Sequence, residues 1–457
     1  MWVIIDDFYL RVLCAYSKAM KWYSKIAVLL VVAACVGAWL WHDTRVELSE
    51  EKMQLVDSVI NGAIERGDFP GAVLCVVKRA DDVESMGKVL YEKAYGNRQI
   101  ASGRDSAGRL IADTLPMTTD AVFDLASVSK CVGTTLSFMR LVEDGKVRLD
   151  DPVSRYIDGF AAWESTPEKK GEPIERKDIT VRHLLNHTSG LAAGIYVPSF
   201  VKRYEKWGDM AKMNLRDSLI TYLATDAPRN TRPGEVMRYS CLNFITLQAI
   251  IERISGERLD HFAKRNIFSP LGLHDTWYNP IDEAQKPYKA DAVIVPTSIE
   301  GGRLLVGEVH DPTARVVNRG VSGNAGLFSS AKDLAVVASM LMNGGEVRLP
   351  REGLLGKLGF TSKVKLYSQQ AVDTFFALTE ECREHGRTLG WDTGSFGDLE
   401  EHQRVINHTG YTGTSIQMNL DEGVAIILLT NRVHPNDGGA VGRTRATVAN
   451  IISSAIN

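Results

Sequence analysis

The stretch Phe-Asp-Leu-Ala-Ser-Val-Ser-Lys spans residues 123–130, and Cys-Val-Gly-Thr-Thr-Leu-Ser-Phe-Met-Arg-Leu-Val continues it over residues 131–142. From Val128 onward, apolar or small side chains recur at spacings of three and four, which predicts a helix that is buried along one side. Gly145 is a typical C-terminal cap for this helix. If the helix begins near Ser127, then Ser127 and Lys130 lie on one face of its first turn.

This spacing places a hydroxyl beside an amine. A buried lysine with few counter-charges loses proton affinity and can act as a base, while a helix N-terminus favours the negative charge that develops on an attacked carbonyl. Ser127 is therefore a candidate nucleophile and Lys130 its activator. The pattern alone is weak, because a serine at this place is more often a simple helix cap. Ser-x-x-Lys also begins at Ser49, Ser85, Ser199, Ser329 and Ser362.

The composition is that of a globular protein with a large core. Of the 457 residues, 44% are hydrophobic and 24% charged, and the net charge of -3 gives no electrostatic reason to bind nucleic acid. The six cysteines form neither a Cys-x-x-Cys pair nor a cluster with histidine at metal-ligand spacing, so neither a zinc site nor a disulfide framework is indicated. We expect a small-molecule or peptide substrate.

An uninterrupted apolar run occupies residues 26–41, with lysines before it and tryptophans near both ends. It is slightly shorter than the roughly 20 residues that a spanning helix needs. We expect an uncleaved signal anchor in a bacterial cell membrane, with a short cytoplasmic segment at residues 1–25 and the rest of the chain in the periplasm or outside the cell. A cleaved signal peptide and lipidation of Cys35 are the alternatives.

Residues 42–52 form a predicted linker, and residues 53–457 form one predicted domain. Periodicity predicts a helix over 53–66, a hairpin of strands over 72–78 and 88–95, and a final helix over about 439–453. These patterns favour an α/β (α+β) fold in which one antiparallel sheet is assembled from both chain ends, is flanked by helices and carries a large, mostly helical insertion. Helices are predicted in the middle at 181–186, 215–223, 242–254, 260–266, 331–342 and 369–378, and strands near the end at 389–391, 405–408, 414–418 and 424–431.

Two further segments have chemical potential. Arg-Tyr-Ser-Cys-Leu-Asn at 238–243 opens a helix, and Asn-His-Thr-Gly-Tyr-Thr-Gly at 407–413 lies between two predicted strands. A tyrosine beside a lysine can relay a proton, and glycines on a strand let a substrate approach the backbone. Each segment alone is explained as well by a buried tyrosine or a tight strand end.

Together, Ser-x-x-Lys, Tyr-x-x and His-Thr-Gly in this order resemble the serine β-lactamase and penicillin-binding protein superfamily, in its class C-like and esterase-like branch. The resemblance covers nearly all of the chain after residue 53 and implies a β-lactamase/transpeptidase-like fold. It implies that Ser127 forms an acyl-enzyme while Lys130 and Tyr239 move the proton. The backbone N–H groups of Ser127 and Tyr411 would form the oxyanion hole. The resemblance implies no cofactor and no metal.

The chain departs from the superfamily at two places. Cys241 stands where many members have asparagine, and a thiol is a poor hydrogen-bond partner, so Asn243 is a candidate substitute. His408, Thr409 and Gly410 would bind the substrate, but a histidine is mostly neutral at pH 7, which weakens the cation that holds a substrate carboxylate. Arg432 is a candidate for that cation.

The sequence therefore predicts a membrane-anchored serine hydrolase. A D,D-carboxypeptidase-like peptidase acting on cell-wall peptides fits the expected location, and a carboxylesterase fits the departures. A β-lactamase, or a penicillin-binding receptor or structural homologue without turnover, are the alternatives. The remaining prominent polar residues, His187, Glu308, His310 and Asp311, are expected to fix loops rather than to react.

Overall fold

The structure is a computed structural model that describes residues 48–455, with the exception of residues 80–86, 168, 170–171, 205–213, 282–290, 352, 354–359 and 398–403. The predicted anchor at residues 26–41 lies outside this range. Within it, no helix has both the length and the apolar character needed to cross a membrane. Glu50–Ala455 forms one compact unit.

The helices are named in chain order. They are α1 (Glu50–Glu65), α2 (Leu136–Glu143), α3 (Val181–Leu185), α4 (Val197–Tyr204), α5 (Leu215–Thr225), α6 (Cys241–Ser255), α7 (Leu259–Ala263), α8 (Ala331–Met342), α9 (Gln369–Phe375), α10 (Glu380–His385) and α11 (Gly442–Ser453). Wider π-helical turns occur at Lys130–Thr135, Lys264–Phe268 and Thr313–Val317, and a 3₁₀ turn at Val153–Arg155.

The strands are named in the same way. They are β1 (Gly71–Lys78), β2 (Lys88–Arg104), β3 (Leu110–Pro116), β4 (Val122–Asp124), β5 (Trp163–Glu164), β6 (Arg176–Lys177), β7 (Trp277–Tyr278), β8 (Ile299–Glu300), β9 (Arg303–Leu304), β10 (Leu327–Ser330), β11 (Glu346–Pro350), β12 (Thr361–Lys365), β13 (Asp392–Thr393), β14 (Val405–Thr409), β15 (Thr414–Asn419) and β16 (Val424–Thr430).

The main sheet is antiparallel and is built from both ends of the domain. Its strand order is β13-β14-β15-β16-β1-β2-β9-β8, and β3 also pairs with β2. The N-terminal strand β1 lies between β2 and the C-terminal β16, where Leu74 pairs with Leu428. This arrangement confirms the predicted sheet and the predicted β1–β2 hairpin.

Helices cover the sheet. Every residue of β1 from Gly71 to Val77 is buried, as expected for a central strand that is packed on both faces. Helix α8 packs against β1 and β16, whereas α1 packs against α11 and β2. The buried residues of α1 follow the predicted spacing of three and four and are Met53, Val56, Ile60 and Ala63. Truncation of a core residue such as Ile60 to alanine costs roughly 2–5 kcal/mol of folding free energy.

The predicted end of β2 at residue 95 is wrong, because the strand continues to Arg104. The sequence Gly96-Asn97 suggests a turn, but Gly96 instead adopts a φ of 62° inside the strand. A Cβ at this position would lie 2.3 Å from the Pro70 carbonyl oxygen. Glycine here permits a close backbone contact rather than a chain reversal.

The predicted strand over residues 389–391 is also wrong. This segment is irregular, and the short strand β13 follows it. Gly390 has a φ of 88° and donates its N–H to the carbonyl of Leu185, which lies outside the sheet. The predicted middle helices are present within a few residues. The sequence analysis missed the strands β3 to β12 and the helices α4 and α10, most of which are short or lie at the surface.

The helix in the Phe123–Lys130 stretch begins where it was predicted. Ser127 lies in a turn, Val128 and Ser129 are helical, Lys130–Thr135 forms a π-helical segment, and α2 continues from Leu136. Gly145 has a φ of 68° and donates its N–H to the Val142 carbonyl, as expected at a helix C-terminus. The segment packs against α6 and α7, which form part of the helical insertion.

Candidate active site

The turn before the π-helical segment holds Ser127 in a fixed position. Strand β4 ends at Asp124, and Ala126 adopts a φ of 45°, which is unfavourable for a residue with a Cβ. Asp124 stabilises this turn, because its carboxylate accepts the N–H of Ala126 at 2.8 Å and the N–H of His310 at 2.7 Å. Burial raises the pKa of Asp124. Ser127 is therefore presented on a strained turn that a buried carboxyl supports.

The loop between β14 and β15 supports the same turn from the other side. Thr412 Oγ1 donates to the Asp124 carbonyl at 2.7 Å, and Thr414 Oγ1 donates to the Leu125 carbonyl at 2.9 Å. Gly410 lies so close that a Cβ would be 2.3 Å from the Leu125 carbonyl oxygen. The His-Thr-Gly stretch and the residues after it thus contact the backbone just before Ser127.

Lys130 has a fully buried side chain that points at the candidate nucleophile. Its Nζ donates to Ser127 Oγ at 3.1 Å and to the Asn324 carbonyl at 2.7 Å. The Nζ also lies 5.0 Å from the centroid of the Tyr239 ring. The structure therefore brings together the three residues that were predicted to be catalytic.

The neighbours of Lys130 oppose the predicted loss of proton affinity. Burial lowers the pKa of Lys130, but the nearby Cys241 and Tyr239 side chains raise it, and this pKa lies above its usual value. The site therefore favours a cationic Lys130. A cationic lysine donates hydrogen bonds and stabilises neighbouring anions, but it cannot accept the serine proton.

Tyr239 lies beside Lys130, and its hydroxyl interacts with both Lys130 and Ser127. Burial raises the pKa of Tyr239 above its usual value, while the Lys130 cation acts in the opposite direction. The tyrosine ring stacks on His187, with 4.6 Å between ring centroids. His187 also accepts the N–H of Ser240 on Nδ1 at 3.0 Å, so this loop residue holds the backbone next to Tyr239. This agrees with the loop-fixing role expected for His187.

The two N–H groups predicted to form an oxyanion hole have no hydrogen-bond partner within the part of the chain that the structure describes. They belong to Ser127 and Tyr411, and each lies outside regular helix and strand. Arg432 Nε donates to the Tyr411 carbonyl at 2.6 Å, and the Tyr411 hydroxyl donates to Asp437 at 2.9 Å. The side chain and carbonyl of Tyr411 are thus fixed while its N–H is available.

His408 is buried at the end of β14 and is held neutral. Burial, the Arg387 cation and the Lys130 cation together keep the pKa of His408 well below its usual value. Its Nδ1 lies 2.9 Å from the Thr409 carbonyl, so Nδ1 carries the proton and Nε2 is an acceptor. Thr409 is half-buried, and Gly410 donates its N–H to Thr414. His408 therefore provides no positive charge for a substrate.

Two predicted substrate contacts are not supported by the geometry. Asn243 accepts a hydrogen bond from Ser189 at 2.6 Å and lies 3.3 Å from His187, and it has no hydrogen bond to Lys130 in the described part of the chain. Arg432 forms an ion pair with Asp437, donates to two backbone carbonyls and lies 4.4 Å from the Tyr411 ring. Asn243 fixes a loop, and Arg432 fixes the backbone of Tyr411.

The sequence analysis missed three residues near the site. Asp124 lies within the stretch of residues 123–130, but only the structure shows that its carboxylate accepts the N–H groups of Ala126 and His310. Asn324 contributes a carbonyl, which no side-chain pattern reveals. Arg387 is 7% exposed, pairs with Asp392 and places its guanidinium carbon 5.2 Å from the Tyr239 ring centroid. No motif in the sequence marks Arg387.

A cleft of about 570 Å³ begins at Tyr411 and contains both acidic and basic side chains. His310 lies in this cleft, stacks on Tyr411 with 5.7 Å between ring centroids, and donates its N–H to Asp124. A separate cavity of about 460 Å³ contains none of the residues of the Ser127 site. In the described residues, no three His, Cys, Asp or Glu side chains are grouped to hold a metal ion. The cleft lining comprises Arg104, Ser298, Ile299, Glu300, His310, Asp311, Pro312, Tyr411, Pro435, Asn436 and Asp437.

Known proteins share this architecture. Residues 56–451 match the beta-lactamase family. The chain is 32% identical over 405 residues to an N-acetylmuramyl-L-alanine amidase of Bacillus subtilis (strain 168), covering 85% of this chain and 82% of the relative. It is 28% identical over 437 residues to an Escherichia coli O157:H7 protein provisionally named D-alanyl-D-alanine carboxypeptidase, covering 92% of this chain and 91% of the relative.

A solved structure supports the fold assignment. EstCE1, a hydrolase with promiscuous acyltransferase activity, superimposes with a TM-score of 0.59 at 22% identity, covering 88% of this chain and 98% of EstCE1. At this level of identity the likeness concerns the fold alone. Taken with the match over residues 56–451, these observations establish that the chain belongs to the beta-lactamase family and is a serine hydrolase.

Proposed function

We propose that the chain hydrolyses peptides or esters through an acyl-enzyme on Ser127, and that its substrate is a cell-wall peptide of the kind cleaved by D,D-carboxypeptidases. The observation that carries the proposal is the hydrogen bond between Ser127 Oγ and Lys130 Nζ, because a fully buried lysine is here paired with the hydroxyl of a half-buried serine. The surrounding charges then define how the proton moves.

In the proposed acylation step, Ser127 Oγ attacks the substrate carbonyl carbon and transfers its proton to the phenolate form of Tyr239, which is the minor form at neutral pH because burial raises the pKa of this tyrosine. Cationic Lys130 stabilises that phenolate and orients the hydroxyl. The negative carbonyl oxygen is bound by the N–H groups of Ser127 and Tyr411. When the bond to the leaving amine or alcohol breaks, Tyr239 returns the proton to the leaving group.

The second step reverses these roles. Water attacks the acyl carbon, Tyr239 accepts a proton from this water, and the bond to Ser127 Oγ breaks. The proton then passes to the serine oxygen, which restores the free enzyme. Apart from the attacking water, no group outside the protein and the substrate is needed to balance either step.

The proposal of a cell-wall peptide rests on two observations. The relatives named as an N-acetylmuramyl-L-alanine amidase and provisionally as a D-alanyl-D-alanine carboxypeptidase cover most of this chain. The polar cleft beside Tyr411 is large enough to hold several residues of a peptide. The apolar run at residues 26–41 supports a membrane-anchored enzyme whose domain faces the periplasm or the cell exterior.

A carboxylesterase is the second candidate, and one specific observation favours it. Neither His408 nor Arg432 offers a free positive charge, since the first is neutral and the second is paired with Asp437. A substrate without a carboxylate needs no such charge. The departure at Cys241 likewise weakens the case for efficient β-lactam hydrolysis.

The test is turnover by purified protein from residue 44 onward with three substrates: a peptide ending in D-alanyl-D-alanine, a p-nitrophenyl ester and a fluorescent penicillin. Ser127→Ala should abolish turnover, whereas Ser199→Ala should not, although Ser199 also begins a Ser-x-x-Lys sequence. Turnover of the peptide supports the peptidase, and turnover of the ester alone supports the esterase. Equal activity of the wild type and Ser127→Ala towards the substrates that are turned over would refute the proposal.

A further inference from the structure

We propose that Arg387 is a positioning residue that supplies the positive charge missing from the His-Thr-Gly stretch, and that it acts by stabilising the ionised form of Tyr239. This inference rests on the proposed role of Tyr239 as the proton acceptor. It assigns a role in the reaction to a residue in the irregular segment between α10 and β13, which no motif marks.

The position of Arg387 is fixed by the sheet. Its backbone forms an isolated bridge with Asp392, and Asp392 on β13 pairs with Asn407 on β14, next to His408. The side chains of Arg387 and Asp392 also form an ion pair. The guanidinium is therefore held at the edge of the His-Thr-Gly strand by both backbone and side-chain contacts.

The guanidinium of Arg387 faces Tyr239. Its central carbon lies 5.2 Å from the centroid of the Tyr239 ring, and only 7% of the residue is exposed. A cation this close to a phenolate interacts strongly, because little water screens the pair. Lys130 Nζ lies at a similar distance of 5.0 Å. Tyr239 thus lies near two cations.

The other groups that face Tyr239 do not supply this charge. His187 approaches from the loop after α3 and His408 from β14, and burial together with the Arg387 cation keeps the pKa of both histidines well below the usual value. Cys241 approaches from α6 and raises the pKa of Tyr239, so it opposes the phenolate form. Only Lys130 and Arg387 among these five groups are cations at neutral pH.

Asp392 allows an electrostatic role of Arg387 to be distinguished from a structural one by the direction in which the ionisation of Tyr239 moves. It partly cancels the Arg387 charge, so loss of the arginine charge and loss of the carboxylate charge should move the ionisation of Tyr239 in opposite directions. If the pair only stabilised the fold, both substitutions would damage the site in the same direction. The sign therefore separates an electrostatic role from a structural one.

The experiment measures kcat/KM against pH with a neutral p-nitrophenyl ester. The phenolate form of Tyr239 is the active form, so the acidic limb of the profile reports its ionisation. Two unit charges roughly 6 Å apart at an effective dielectric constant near 20 shift a pKa by about two units, and Asp392 reduces this to about one. Arg387→Gln should move the limb up by about one pH unit, Asp392→Asn should move it down, and Arg387→Lys should keep it near the wild-type position.

A matched control is available. Arg229 is also partly buried, with its guanidinium carbon 5.2 Å from an aromatic ring, but this ring belongs to Phe160, which does not ionise. Arg229→Gln should therefore leave the limb in place. Ultraviolet titration of phenolate absorbance, with the Tyr239→Phe spectrum subtracted, should show the same shifts without any substrate.

Two results would overturn the inference. One is an acidic limb of the pH profile that stays in place in both Arg387→Gln and Asp392→Asn, or that moves in the same direction in both. The other is an effect of Arg387→Gln that is confined to the KM of substrates ending in a carboxylate, since Arg387 would then bind substrate. Failure of the proposed function looks different: Tyr239→Phe would retain activity and the acidic limb of the wild type.

Discussion

Lys130 reaches Ser127 across the first turn of a helix. The Nζ-to-Oγ distance is 3.1 Å, Ser127 directly precedes the helical residues Val128 and Ser129, and the Lys130 N–H donates to the Ser127 carbonyl. The lysine is then anchored by the Asn324 carbonyl, which comes from a distant part of the chain. The pair is therefore preorganised by tertiary contacts.

Lys130→Met should reduce acylation of Ser127 by about 10²–10⁴-fold, because the cation that stabilises Tyr239 and orients the hydroxyl is lost. The folded state should persist, since methionine is apolar and similar in length. Stopped-flow acylation with a p-nitrophenyl ester and a thermal melt would measure both. An acylation rate within threefold of wild type would contradict this role.

Gly410→Ala should greatly reduce activity. The new Cβ would lie 2.3 Å from the Leu125 carbonyl oxygen and 2.2 Å from Thr414 Oγ1, so the turn that presents Ser127 must move. Gly438→Ala is the control, because nothing lies within 4 Å of its added Cβ. We expect at least a 100-fold loss of kcat/KM for the first variant and wild-type activity for the second, by analogy with the cost of a small misplacement of catalytic groups. Full activity of Gly410→Ala would show that the contact is dispensable.

His408 should make the protein less stable in acid. Its pKa is well below 6.5 in the folded state and near 6.5 in the unfolded state, so below about pH 6.5 the unfolded chain binds the additional proton. The resulting loss is up to about 1.4 kcal/mol of unfolding free energy per pH unit. Urea unfolding at several pH values should show that His408→Gln loses less unfolding free energy in acid than the wild type, by this amount. If the slope of unfolding free energy against pH is identical in the two proteins, His408 titrates normally.

Cys241→Asn should raise the rate of Ser127 acylation by penicillin by about tenfold, because an amide near Lys130 adds a hydrogen bond to the substrate worth about 1 kcal/mol or more. Cys241→Ser is the control, since a hydroxyl is smaller and provides one donor. Labelling with a fluorescent penicillin measures the rate. A rate that is unchanged in Cys241→Asn would show that the thiol does not limit β-lactam reactivity.

The sequence predicts the fold well where periodicity is strong. The spacing in α1 and the apolar β1 and β16 indicate the sheet and its covering helices, and α8 is predicted at its observed bounds. The prediction fails where a glycine has a tertiary role. Gly96 suggests a turn but permits a close contact inside β2, and Gly390 interrupts an apolar run that resembles a strand.

The candidate site was predictable only in part. Ser127, Lys130 and Tyr239 come together as their motifs predict, but the charge on Lys130 depends on Cys241 and Tyr239 from other elements. The proximity of Asn243 to Cys241 in sequence suggested a substitute, yet on α6 its amide faces Ser189 and His187. Arg387 carries no motif because only the pairing of β13 with β14 brings it to the site.

The most direct test of the central claim is to locate the acyl group. The purified protein from residue 44 onward is mixed with a slowly hydrolysed ester or a fluorescent penicillin, quenched in acid, digested and analysed by tandem mass spectrometry. We predict that the added acyl mass lies on Ser127 and is absent from Ser127→Ala. An acyl group found on another residue, and retained in Ser127→Ala while turnover continues, would contradict the account.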